Sequence, residues 1–106
     1  ADRAAFAAAA AEFVDSQRYN ADRAPSRLAL GVFYAQLGKL DSAATEFRAA
    51  AQLSPQSSQA YLGLAAVLRA QGRVRDAIAE LERARKIIPD DPQISELLRS
   101  LTSPAR

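Results

Sequence analysis

A chain of 106 residues has room for one modest domain, and 49% hydrophobic with 25% charged residues is a globular composition rather than a disordered one. The 14 Lys+Arg against 12 Asp+Glu leave a formal charge of only +2, with no basic block along the chain, so the pI near 9.4 marks no nucleic-acid footprint. Cysteine and histidine are both absent, which excludes disulfides, thiolate nucleophiles, imidazole bases and nearly all transition-metal sites.

Alanine makes up about a quarter of the chain. It is the best helix former and buries little area, so closely packed thin helices are expected rather than a bulky core. The apolar run around Ala7 to Ala11 is too short and too weakly hydrophobic to span a membrane. No secretory leader is visible, and the start at Ala1 fits an excised domain whose targeting segment is missing. The compartment therefore stays open between cytoplasm and periplasm.

In chain order, the patterning predicts helices near 2–19, 25–37, 41–54, 58–71 and 75–88. Leu30, Phe33, Tyr34 and Leu37 form one apolar face of the second helix, and Gly38 closes it in a left-handed conformation. Asp41 is expected to cap the third helix, whose buried stripe is Ala43, Phe47, Ala50 and Ala51. Pro55 ends that helix. The same face recurs as Leu64, Val67 and Leu68, followed by Gly72, Ala77 and Pro89. Pro92 then opens a last amphipathic segment with Ile94, Leu97, Leu98 and Leu101 on one stripe, and residues from Ser103 to the end are expected to fray.

The recurrence has a period of 34 residues. Leu30, Gly31, Tyr34, Gly38, Ala43, Phe47, Ala50, Leu53 and Pro55 fall on Leu64, Ala65, Leu68, Gly72, Ala77, Leu81, Ala84, Ile87 and Pro89. One step earlier, Phe6, Ala9, Phe13, Ser16 and Tyr19 continue the second half of the unit. This spacing resembles the tetratricopeptide repeat, with departures at Arg27, where that family usually has a large aromatic, and at Ala65 in place of glycine. The resemblance implies an all-α solenoid of stacked antiparallel helical hairpins. It divides the chain into a half repeat at 1–23, full repeats at 24–57 and 58–91, and a C-terminal capping helix and tail at 92–106, the last helix reading alternatively as the first helix of a truncated third repeat. A weaker resemblance, carried by Gln17 to Arg23 leading into Leu30 to Tyr34, is to repeat segments attached to bacterial multihaem cytochromes. It implies an exported bacterial parent, although no C-x-x-C-H haem attachment motif occurs in the chain.

No phosphate loop, nucleophile elbow or calcium loop is present. Glu80 and Glu82 fall on different sides of a helix and Asp90-Asp91 in a turn, where solvated charge is the favoured reading. Arg69, Arg73 and Arg75 gather around one turn where they are placed to grip an acidic partner. Asp76, Glu80 and Glu82 are near enough to neutralise them and to pair with Arg83 and Lys86, which favours ordinary surface charge. The aromatics Phe6, Phe13, Tyr34, Phe47 and Tyr61 sit at packing positions and read as core.

In proteins of the resembled family, the first helix of each repeat lines a concave groove. The matching positions here are Leu28, Val32, Ala35 and Gln36, then Leu62, Ala66, Arg69 and Ala70. Leu28, Val32 and Gly63 stand where a carboxylate-clamp member of the family would carry lysine and asparagine, which argues against that clamp. A mostly apolar groove suits a partner peptide or helix from another protein. The expected function is therefore a non-catalytic interaction module, without cofactor, metal, nucleic acid or membrane span. The alternative is a structural segment that forms homo-oligomers or docks onto another domain of its parent. An enzyme is the third and weakest possibility. Packing alone is not expected to require apolar side chains at Leu28, Val32 and Leu62, and the rival expectation is that the C-terminal helix near Leu97 folds over them.

Overall fold

The computed structural model describes residues 8–15 and 23–103 of the chain. Residues 8–15 are helical and are called α1. There follow α2 (Ala24–Gln36), α3 (Leu40–Leu53), α4 (Ser58–Ala70), α5 (Val74–Ile87) and α6 (Pro92–Thr102). The described residues contain helices and turns and no strand. From the second helix on, the expected boundaries agree with these to within about a residue. Phe6, Ser16 and Tyr19 lie outside the described residues.

Each hairpin turns for the same reason. At the end of α2 the amide of Lys39 donates to Tyr34 O at 2.9 Å and that of Gly38 to Ala35 O at 3.0 Å. At the end of α4, Arg73 donates to Leu68 O at 2.8 Å and Gly72 to Arg69 O at 2.9 Å. This paired closure needs a left-handed residue, and Gly38 and Gly72 supply it with φ of 78° and 79°. Pro55 and Pro89 follow the ends of α3 and α5, as expected.

The helix starts required a correction. Asp41 does not cap α3: the capping residue is Lys39, which makes no side-chain cap bond. Asp41 lies inside the first turn, where its charge complements the helix dipole, and its carboxylate accepts from Gln71 Nε2 at 2.6 Å. That bond ties the start of α3 to the turn after α4. True side-chain caps appear one register later. Ser57 caps α4, and Asp91 Oδ1 caps α6 by accepting from the amides of Gln93 at 2.8 Å and Ile94 at 3.1 Å. Asp91 Oδ2 also accepts the hydroxyl of Ser58, joining the first turns of α4 and α6. Asp91 is thus a structural hinge-pin and not a merely solvated charge. These hydrogen bonds, led by that from Ser58, hold its carboxyl below the usual carboxylate value.

The core is a single run of side chains from α3 to α6. Ala43, Ala50, Ala60, Ala65, Ala77 and Ala84 are fully buried among Phe47, Tyr61, Leu64, Leu68, Leu81 and Ile94. Alanines at these seams let the helix backbones approach closely, the role expected of Ala43 and Ala77. Phe47 is the largest intruder. It reaches from α3 to two glycines on different helices, and a Cβ at Gly31 would meet its ring at 2.8 Å, one at Gly63 at 2.5 Å. Phe13 of α1 packs on Phe33 of α2 with ring centroids 4.7 Å apart. On α6, Ile94 and Leu98 are buried and Leu97 and Leu101 rest against the core. Its remaining side carries Arg99, exposed at the position held by Gly31 and Ala65 in the earlier helices, with exposed Thr102 where Tyr34 and Leu68 stand.

Candidate protein-interaction groove

Which helices touch decides which side of the stack is concave. Contacts run between neighbours in the chain and also between α2 and α4 and between α4 and α6. Among the described residues α3 and α5 make no contact with each other. A stack whose alternate helices touch on one side and splay on the other bends around the touching side. The inner layer is therefore α2, α4 and α6.

On α2 the inner strip holds Leu28 and Ala35, both half-buried, with Val32 exposed at 49% and Gln36 exposed. On α4 it holds half-buried Leu62 with exposed Ala66, Arg69 and Ala70. Leu28, Ala35 and Leu62 pack against the core cluster. Packing therefore does use Leu28 and Leu62, contrary to the expectation that it would not require them, and Val32 is the large apolar side chain of this strip left mainly to solvent. The rival cover is absent for α2: α6 touches α4 and α5 but makes no contact with α2. Arg69, in the last turn of α4, forms no ion pair with any described residue. Of the cluster Arg69, Arg73 and Arg75, Arg73 is paired, with Asp76 at 2.8 Å; Arg83, further along α5, lies 3.4 Å from Glu80. Glu80 itself is more enclosed than a solvated charge, with its side chain 21% exposed.

Two features of this surface were not foreseen. Gly63 borders the strip, and the Phe47 ring leaves no room there for any side chain, so packing alone excludes the asparagine of a carboxylate clamp. The strip also continues onto α6, where Gln93, Glu96 and Ser100 occupy the positions that Gln59, Leu62 and Ala66 hold on α4. Together with Pro92 and Leu97 they line an open depression of about 480 Å³. The period of 34 residues is enough to find these positions, since it sets α6 in register with α2 and α4.

No cluster of three or more metal-ligating side chains occurs among the described residues. Nor is any described helix long and apolar enough to cross a membrane.

Two sequence patterns described as Tetratricopeptide repeat match the chain, one over residues 38–101 and one over residues 2–58. The human protein named Protein O-mannosyl-transferase TMTC1 is 34% identical over 62 residues, which is 58% of this chain and 7% of that protein. The chain thus spans a small fraction of that relative's length, and the transferase activity in its name is said of the relative. Each pattern covers more than half of the chain, and the chain belongs to the tetratricopeptide repeat family.

Proposed function

We propose that this chain is a non-catalytic module that binds a peptide or helix of another protein along the inner faces of α2 and α4. Repeats of this family generally mediate protein–protein interaction. The observation that carries the reading is Val32, a β-branched apolar residue 49% exposed beside Leu28 and Leu62, on a helix that α6 does not reach. Arg69 at the edge supplies an unneutralised cation for an acidic group of the partner. Ala35, Ala66 and Ala70 keep the floor low enough for a backbone to approach, and exposed Gln36 offers it an amide to hydrogen-bond. In this reading α6 closes the stack, because Arg99 stands where a following helix needs a small residue. An exported bacterial parent, as the cytochrome-attached segments suggest, belongs to the same proposal.

Selection of peptides from a random twelve-residue library displayed on phage tests it. Enrichment on the intact chain is expected to vanish with Val32→Glu and to persist with Arg83→Glu on α5, outside the groove. Equal enrichment on both variants sinks the groove.

Self-assembly is the second reading, favoured by Leu53, Val74 and Ile87, apolar side chains off the groove and exposed at 46%, 37% and 37%. A solution mass that rises with concentration, and that Leu53→Ser with Ile87→Ser abolishes, would favour it.

A further inference from the structure

We infer that the binding surface extends onto α6, where Glu96 selects a basic residue, and that the occupant is an extended segment with two apolar residues and one basic residue spaced three apart. This rests on the groove reading above and deepens it.

The repeat register carries the placement. Leu28 and Val32 on α2, Leu62 and Ala66 on α4, and Glu96 and Ser100 on α6 are the same two positions of three successive inner helices. Along the stack the pair changes from large apolar, to apolar and small, to acidic and hydroxylic. The change coincides with a shape: Glu96 and Ser100, with Pro92, Gln93 and Leu97, line the depression on α6. Glu96 is exposed and forms no ion pair with any described residue, so its charge is free to meet a partner.

Spacing then fixes the kind of chain that fits. Packed helix axes lie about 8–10 Å apart, and an extended chain advances about 3.3 Å per residue. One inner helix is therefore crossed every three residues or so. A segment running across the layer presents an apolar side chain to Leu28 and Val32, another to Leu62 and Ala66, and a third residue to Glu96. The two strip positions on each helix are four residues, or about 6 Å, apart along its axis. That matches the roughly 5 Å width of an extended chain and not the roughly 10 Å of a helix. The third residue is lysine or arginine, because charge complementarity at Glu96 favours it and repels an acid.

The phage library selection on the full chain, repeated with Glu96→Lys, is the test. Peptides enriched on the parent chain are expected to share two apolar residues three apart and a basic residue three further on. On Glu96→Lys the third position should turn acidic. Synthetic peptides from the parent selection should weaken about threefold to fivefold on Glu96→Gln, as a solvent-facing ion pair allows. Far-ultraviolet circular dichroism checks that each variant keeps its helices. If the enriched peptides bind through Val32 and show the same third residue on parent and Glu96→Lys, the α6 subsite is wrong and the groove survives. If nothing is enriched on the parent relative to Val32→Glu, both readings fall.

Discussion

The two hairpins, α2–α3 and α4–α5, share a backbone and solve its packing differently. At the first turn of the inner helix, α2 carries Arg27, whose guanidinium reaches Glu46 on α3 at 2.8 Å. The equivalent residue on α4 is Tyr61, 2% exposed, with its hydroxyl donating to Pro55 O at 2.9 Å. Glu80, which matches Glu46, then has no arginine across the hairpin and turns to Arg83 on its own helix. The outer helices differ in a compensating way. Phe47 of α3 needs Gly31 and Gly63 beneath its ring. Leu81 of α5 is smaller, and the matching positions hold Ala65 and Leu97. Volume lost from one side chain is thus returned by the two it lies between, so what repeats is the filled volume and not the residue.

Three tests break or sharpen this contrast. The largest effect is expected at the inner-helix anchors. Tyr61→Ala removes a buried aromatic ring and should cost about 3–5 kcal/mol in urea melts. The Arg27–Glu46 pair, partly solvated, should contribute about 1 kcal/mol, so Arg27→Ala should cost less than Tyr61→Ala. Equal losses would mean that the two hairpins are anchored alike.

Next comes Gly63→Ala, which drives a methyl into the Phe47 ring and should cost about 1–3 kcal/mol. Adding Phe47→Leu, the solution used by the second hairpin, should recover part of that loss. A double-mutant cycle measures the coupling, and additive effects would show that ring and glycine do not meet.

The smallest effect concerns acid. Asp91 has its carboxyl value lowered from 3.8 in the folded chain, so the unfolded chain takes up the proton first as pH falls. Its contribution is present above 3.8 and is lost as pH drops through the lower folded value. The protection of α6 amides, taken relative to their intrinsic exchange rate at each pH, should therefore fall below that pH in the parent chain. Asp91→Ala should show lower protection already at neutral pH and a flatter acid response.

How much of this was legible in the sequence depends on how far each interaction reaches. The period, the helix boundaries and the left-handed glycines rest on neighbours a few residues apart, and they were readable. The Asp91 cap was also readable in principle, since Asp91-Pro92 is an N-cap followed by the proline of a first helical turn. Its place in a turn suggests solvated charge equally well. Asp41 misled because an acidic residue suits both the cap and the first turn. The Phe47–Gly63 contact joins separate helices across a turn, and no local pattern in the sequence signals it. In the groove the positions were legible from the register, whereas their burial was not: Leu28, Val32 and Leu62 look alike in sequence, and packing separates them.

Because the described helices touch only their neighbours and next-but-one neighbours, every loop that must close during folding is short. Chains built from such local contacts cross low entropic barriers and fold within microseconds to milliseconds. Their stability is distributed along the stack and not held in one nucleus. Among the described helices α6 is held by α4 and α5 alone, so it can detach while α2 to α5 stay paired. A ligand held partly by α6 would then slow that fraying, and its grip would register as protection of amides far from the atoms it touches.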